Sequence, residues 1–345
     1  MEADYKQTRP QPGSFIAHDG SAIELKNVIC IHEEDDGVLW KHTDYRPNGR
    51  SHTVRKRRLV VSMVCTLANY GEDQKPSFSS LGNLTHLFFK EYIWNYYFYQ
   101  DGSIDFEIRL TGILQVYVSK DDEPTPYGVK VAPNINAQYH QHMFSIRIDP
   151  MIDGLKNSVV ETDIIPLPNA PTGTAINYAG NAFLTQDTVI KNETGRAYEY
   201  DKERRWRIIN SSGKKHYSSG HPVGYTLGVK GGATPMMVRP DSWVGRRASF
   251  LRNTVWVCRD VEDEKGETGS VRVWPAGKYV PQTRDEPKDS VGSWVEGGMG
   301  VEDEDILVYL TVGKKNFYYK ISDNVLTLFS FTGTTHIPRP EDWPV

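Results

Sequence analysis

Apolar and polar residues alternate with a period of two along much of this chain, and no other feature constrains the fold as strongly. In the stretch Ser103–Val118, every second residue from Ile104 is mostly apolar, and the residues between them are largely polar. Such alternation is typical of a strand that buries one face. The aromatic residues, 19 Tyr, 12 Phe and 8 Trp, also favour the pleated surface of a sheet.

The same alternation predicts further strands, and no stretch carries a sustained apolar stripe at helical spacing. Loops rich in Gly, Pro, Asn and Asp separate the predicted strands. A series of this kind predicts a mainly β protein, a large antiparallel β-sandwich. Because no linker or repeat is visible, we expect residues 1–345 to form one domain. The further predicted strands are Glu24–His32, Arg57–Asn69, Tyr92–Gln100, Gln141–Ile148, Arg204–Ile209, Ala248–Cys258 and Ile306–Val312.

Composition excludes several classes of function. Of the 345 residues, 38% are hydrophobic and 24% are charged, as in ordinary folded proteins. The net charge is -4 and no basic stripe occurs, so we expect no nucleic-acid partner. No apolar run is long enough to span a bilayer, and no apolar segment follows Met1. We therefore expect no membrane partner and a cytoplasmic or peroxisomal location.

Two histidines two residues apart form the sharpest local motif. His140 and His142 enclose Gln141, and the apolar alternation that follows predicts a strand. Side chains at i and i+2 of a strand project from the same face, so both imidazoles can reach one metal ion. The alternative is a pair of solvent-facing or hydrogen-bonded histidines. Imidazole ligands suit copper, zinc or iron, so the pair alone does not choose the metal.

A third imidazole is needed to complete such a site. His336 is the candidate, in the stretch Thr334–Trp343 near the end of the chain. Prolines follow it closely, so the alternative is a loop histidine with no metal.

Six stretches, in this order and over nearly the whole chain, resemble the catalytic domain of the copper-containing primary-amine oxidases, most closely the fungal type. The chain is similar to that domain shortened at both its N- and C-terminal ends. The six stretches are Cys30–Asp35, Leu39–Asp44, Thr66–Tyr70, Tyr97–Gly102, His140–Asp149 and Thr335–Pro344.

The resemblance implies a cofactor made from the protein itself. In the family, the tyrosine at the position of Tyr70 is oxidised by copper and dioxygen to topaquinone, and Asn69 orients the quinone. The copper ligands correspond to His140, His142 and His336. The quinone forms a Schiff base with a primary amine, and the products are aldehyde, ammonia and hydrogen peroxide. The resemblance also implies that the intact parent is a homodimer.

The resemblance implies a second, peripheral divalent-ion site. Asp149 follows the His140 strand and Asp305 precedes the third histidine, at the places where the family has carboxylate ligands. Oxygen ligands suit calcium or manganese. The alternative is a pair of solvated loop carboxylates, and Met151 stands where some relatives carry another carboxylate.

Two segments depart from the family pattern. Residues 71–90 separate Tyr70 from the expected continuation, and residues 314–333 separate Gly313 from the third histidine. Both begin at glycine dipeptides that GGTGAG and GGTAAG would encode, so we interpret them as translated introns. Genuine surface insertions are the alternative, since loops tolerate insertion well.

The aspartate that removes the substrate proton in the family lies upstream of the Cys30 region, and residues 1–29 offer no counterpart. We therefore expect this chain to be an inactive part of an active amine oxidase. Two other classes remain open at this point. One is a zinc- or iron-dependent sandwich enzyme with the same three histidines. The other is a non-enzymatic sandwich that binds ligands through exposed aromatic residues.

Overall fold

The computed structural model describes residues 11–16, 22–46, 49–68, 90–110, 115–229, 236–262, 271–277, 284–316 and 335–337. Two short α-helices, α1 (Trp243–Arg247) and α2 (Val291–Trp294), accompany the strands. The strands are β1 (Gln11–Ile16), β2 (Ala22–Thr43), β3 (Ser51–Ala68), β4 (Lys90–Tyr99), β5 (Ile104–Leu110), β6 (Val116–Val118), β7 (Gly128–Ala132), β8 (Ile135–Gln138), β9 (His140–Ile148), β10 (Ser158–Pro166), β11 (Phe183–Val189), β12 (Thr194–Arg196), β13 (Arg205–Ile209), β14 (Gly224–Val229), β15 (Val255–Arg259), β16 (Ile306–Asn316) and β17 (Thr335–Ile337).

The described residues fall into two compact units, the first ending at His140 and the second beginning at Gln141 and including β17. In unit 1, the strands β1 to β5 pair antiparallel in chain order. A small sheet in the order β6-β8-β7 follows. Ion pairs cross the long β2–β3 hairpin, for example Arg57 Nε to Glu33 Oε1 at 2.7 Å.

Unit 2 is a sandwich of two antiparallel sheets. One sheet runs β17-β14-β13-β10-β11 and the other runs β12-β15-β16-β9. The inward residues of both sheets form one hydrophobic cluster, as the alternation of a half-buried strand requires. Trp206 and Leu227 of the first sheet and Val255 and Val308 of the second are almost completely buried in it. The prediction of a mainly β, antiparallel fold is confirmed.

Most predicted strands differ from the structure at one or both ends, as Glu24–His32 covers only part of β2, and two differ in more than their bounds. The residues at the start of Ala248–Cys258 form a 3-10 turn over Ser249–Arg252, and the strand begins only at Val255. This short turn directly follows α1, whose N-terminus is capped by the Ser242 hydroxyl. The single strand predicted over 103–118 is two strands, β5 and β6, with residues 111–114 outside the described part. No helix in the described ranges is long and apolar enough to cross a membrane.

Candidate metal centre

The predicted histidine pair lies at the start of β9. His140 and His142 are both half-buried, and they project from the same side of an extended strand. In unit 2, β16 is the neighbour of β9, and Gly313 of β16 packs against it. A Cβ at position 313 would lie only 2.9 Å from the His142 carbonyl oxygen. Glycine therefore allows β16 to approach the strand that carries the histidines.

A hydrogen bond indicates which nitrogen of the His140 ring carries the proton. His140 Nδ1 lies 3.0 Å from the carbonyl oxygen of Gln138, and this carbonyl can only accept. The geometry assigns the ring proton to Nδ1, so Nε2 is the ring nitrogen that carries a lone pair. Metal-binding histidines commonly donate their other ring N–H to a backbone carbonyl. The residues described at this site therefore fit a copper ion in the chemistry of their donors.

The third predicted ligand, His336, lies on β17. Its backbone pairs with Gly228 of β14 in unit 2, and its side chain falls outside the described part of the structure. Convergence of the three imidazoles on one point therefore stays a prediction. Asn69 and Tyr70 also lie outside the described residues, just beyond the end of β3 at Ala68.

The two predicted peripheral carboxylates lie together with a third. Asp149 follows β9, Asp260 follows β15 and Asp305 precedes β16. One carboxylate oxygen from each lies within 4.8 Å of the other two. The Asp260 backbone N–H also donates to the Asp305 carbonyl oxygen at 2.9 Å, which holds the two loops together. Such spacing fits a divalent cation with oxygen ligands.

Burial and mutual repulsion both disfavour the charged form of a carboxylate in the acidic cluster. Burial raises the pKa of Asp305, and the charges of Asp260 and Asp149 raise it further. One carboxylate oxygen of Asp260 and one of Asp305 are buried and have no hydrogen-bond partner among the residues that the structure describes. Arg147 offsets part of the charge, with Nη2 3.1 Å from Asp149 Oδ2. Buried acceptors of this kind usually bind a donor or an ion.

Asp260 was missed by the sequence reasoning. It follows the strand Val255–Arg259, and antiparallel pairing of Arg259 with Ile306 brings it beside Asp305. Knowledge of that register was needed to find it, because 44 residues separate the two aspartates in the chain. The one local sequence signal for Asp260 is the acidic stretch 260–264, and such a stretch is also typical of a solvated loop.

A family model matches almost the whole chain. The model described as "Copper amine oxidase, enzyme domain" matches residues 10–85 and 89–345. This match covers far more than half of the chain, and the chain belongs to the copper amine oxidase family. The resemblance inferred from the six motifs is confirmed.

The chain is similar to several curated proteins along almost its whole length. It is 37% identical to copper amine oxidase 1 of Schizosaccharomyces pombe, over 96% of this chain and 40% of that protein. It is 36% identical to the peroxisomal primary amine oxidase of Pichia angusta, over 96% of this chain and 41% of that protein. It is also 36% identical to the histamine oxidase of Arthrobacter globiformis, over 94% of this chain and 39% of that protein.

Solved structures share the fold. The copper-containing benzylamine oxidase of Hansenula polymorpha superposes with a TM-score of 0.78 at 27% identity, over 97% of this chain and 47% of that one. The Aspergillus nidulans amine oxidase superposes with a TM-score of 0.70 at 18% identity, over 97% of this chain and 41% of that one. This chain thus spans less than half the length of these relatives.

Proposed function

We propose that the protein to which this chain belongs oxidises primary amines to aldehydes and releases ammonia and hydrogen peroxide, with dioxygen as the oxidant. The observation that supports it most strongly is the histidine pair on β9, in which the hydrogen bond to Gln138 places the ring proton of His140 on Nδ1 and the lone pair on Nε2. The pair lies within the match to the copper amine oxidase enzyme domain. The choice among small aliphatic, aromatic and polyamine-like amines stays open.

The residues of this chain have separate roles in the proposal. His140, His142 and His336 hold copper through imidazole nitrogens, the ligand type that copper prefers. Tyr70 is the precursor of topaquinone, and Asn69 fixes its orientation. When bound, copper and the quinone supply the electron sink that side chains lack. The general base comes from a part of the parent protein upstream of Cys30.

We propose further that the intact parent is a homodimer and that it lies in the peroxisome or the cytoplasm. The names of relatives from Pichia angusta and Nicotiana tabacum, both called peroxisomal, support the first location.

Replacement of His142 by alanine is expected to lower copper affinity strongly. Loss of one of three imidazoles leaves an incomplete ligand set, and even loss of an outer-shell partner costs about 10–100-fold in metal affinity. The measurement is competitive titration of copper against a chelator, with metal content read by mass spectrometry. His216→Ala is the matched control, because His216 lies in the loop between β13 and β14 and its Nδ1 is hydrogen-bonded to the Ser218 hydroxyl. Equal loss of copper in both variants would contradict the assignment.

The cluster of Asp149, Asp260 and Asp305 is proposed to bind calcium or manganese. The close approach of the carboxylates and their unpartnered oxygens support this. A bound cation stabilises the fold by about 2.7 kcal/mol at a concentration of 100 Kd. We therefore expect calcium or manganese to raise the Tm of the chain.

Replacement of Asp305 by asparagine is expected to have two effects. A raised pKa of Asp305 in the folded state means that folding favours its protonated form. The stability it contributes is lost as pH rises from its unfolded pKa through its folded pKa. At pH 7 the cation-free Asp305→Asn variant should therefore melt higher than the parent chain. Its Tm should no longer rise with calcium or manganese, whereas the loop control Asp241→Asn should respond as the parent does.

A further inference from the structure

Arg147 lies on β9 between the predicted copper ligands and the acidic cluster of Asp149, Asp260 and Asp305. Its Nη2 atom lies 3.1 Å from Asp149 Oδ2 and 3.9 Å from Asp260 Oδ2. The guanidinium therefore bridges two of the three carboxylates that the proposed cation site requires. The proposed amine oxidation gives this arginine no role.

The charges around the cluster explain why a positive group is held there. Burial and the charges of the other two aspartates raise the pKa of Asp305, whereas the charge of Arg259 lowers it. Arg259 is also engaged elsewhere, because its Nη2 lies 2.9 Å from Glu304 Oε2. In the described part of the chain, the ion pairs to the cluster come from Arg147. Arg147 is thus the positive charge that directly offsets the three carboxylates.

A divalent cation at the cluster would compete with this guanidinium. Calcium binds carboxylate oxygens at about 2.3–2.6 Å. Arg147 Nη2 is already 3.1 Å from one of these oxygens, so the two positive groups would lie close together and repel each other. An arginine side chain does not lose its proton, and it cannot relieve the repulsion by titration. The cation must therefore displace the guanidinium or bind against its charge.

The guanidinium has room to move away from the carboxylates. The Arg147 side chain is 28% exposed, and that of Asp149 is 47% exposed. Arg147 Nε is buried and has no hydrogen-bond partner among the described residues, so the guanidinium uses only part of its donor set here. A long arginine side chain near solvent can keep its stem in place and turn its charged head toward water. Displacement is therefore the less costly of the two ways.

We propose that Arg147 is a built-in competitor that sets the affinity of the acidic cluster for calcium or manganese. This inference rests on the proposed cation site. Without a cation, the guanidinium offsets the charge of Asp149 and Asp260, so the chain folds with the cluster empty. When a cation binds, it takes over both carboxylates and the guanidinium turns toward solvent. The cluster then fills only at cation concentrations high enough to displace the arginine.

The test is calorimetric titration of the 345-residue chain with calcium chloride, after dialysis against a chelator. Calcium is the probe because it prefers oxygen ligands and competes little for the histidines. Arg147→Met and Arg147→Gln each remove the charge beside the ion, and we expect each to lower the Kd for calcium about tenfold. Arg147→Lys keeps the charge and should bind calcium nearly as weakly as the parent chain. Arg239→Met is the matched control and should leave the Kd unchanged, because Arg239 pairs with Asp241 in the loop before α1.

Asp305→Asn, added to Arg147→Met, should abolish calcium binding and so place the ion in the acidic cluster. Retained binding in this double variant would overturn the proposal. Equal or weaker calcium binding by the folded Arg147→Met and Arg147→Gln variants would also overturn it, and weaker binding would mean that the guanidinium orients the carboxylates as ligands.

The folding of each variant is read from its melting curve. Loss of the folded state in both uncharged variants with calcium present would count against the proposal, because calcium is expected to replace the lost charge. Absence of calcium binding in every chain, the parent chain included, would contradict the proposed cation site itself, and this inference with it.

Discussion

We expect the 345-residue chain, expressed as it stands with copper in air, to release at least about 100-fold less hydrogen peroxide from primary amines than a completed version. The completed version lacks residues 71–90 and 314–333 and carries the matching terminal segments of a full-length relative. The first reason follows from the proposed function, in which the general base comes from a part of the parent protein upstream of Cys30. A general base contributes about 10²–10⁴-fold to a proton-transfer step.

The second reason is the segment beside Tyr70. In unit 1, Thr66 of β3 and Glu91 of β4 are Cα partners, so the two strands come together there. Without residues 71–90, only residues 67–70 would join this pair, a loop length typical of β-hairpins. We expect the longer connection to change how Tyr70 is held. A misplacement of about 1 Å at a reacting group can cost about 100-fold.

The measurement is a coupled peroxide assay with methylamine, benzylamine and phenylethylamine. A third version, with completed ends but with both segments retained, separates the two causes. We expect its activity to lie well below that of the completed version. Comparable turnover of the chain as it stands and of the completed version would show that residues 71–90 and 314–333 are genuine surface insertions and that the base lies within this chain.

Much of the fold could be predicted from alternation alone. The strand β9 carries Phe144, Ile146 and Ile148 on one side, because it buries that face against the core of unit 2. The start of β15 was misplaced because Phe250 and Leu251 look like strand residues, whereas the chain forms a 3-10 turn there and packs Phe250 beside the Trp256 cluster. Hydrophobicity fixes which residues are buried and not which backbone conformation buries them.

The part of the site whose residues lie close together in the sequence could be predicted. His140 and His142 share a strand, so their spacing alone indicates a common direction. The hydrogen bond from His140 to Gln138 and the neighbour Asp260 depend on loop paths and strand register, which the sequence does not encode locally. The contact between Cys30 and His32 is also a matter of side-chain rotamers. The sequence of this stretch alone does not indicate the contact.

Replacement of Tyr70 by phenylalanine is expected to abolish the quinone absorbance of the completed version. Phenylalanine lacks the phenolic oxygen at which the oxidation begins, whereas the three histidines proposed to hold copper are untouched. The visible spectrum after incubation with copper and air should therefore lose its quinone band, with copper content unchanged. Tyr92→Phe, on the neighbouring strand β4, is the control and should keep the band.

Under the proposed function, copper bound by this domain converts Tyr70 into a quinone. The most direct measurement is the mass of the peptide that contains Tyr70, taken from the completed version with and without copper in air. Our account predicts that this peptide gains two oxygen atoms and loses two hydrogen atoms only when copper and dioxygen are both present. An unmodified tyrosine at position 70 in protein that has bound copper would contradict it.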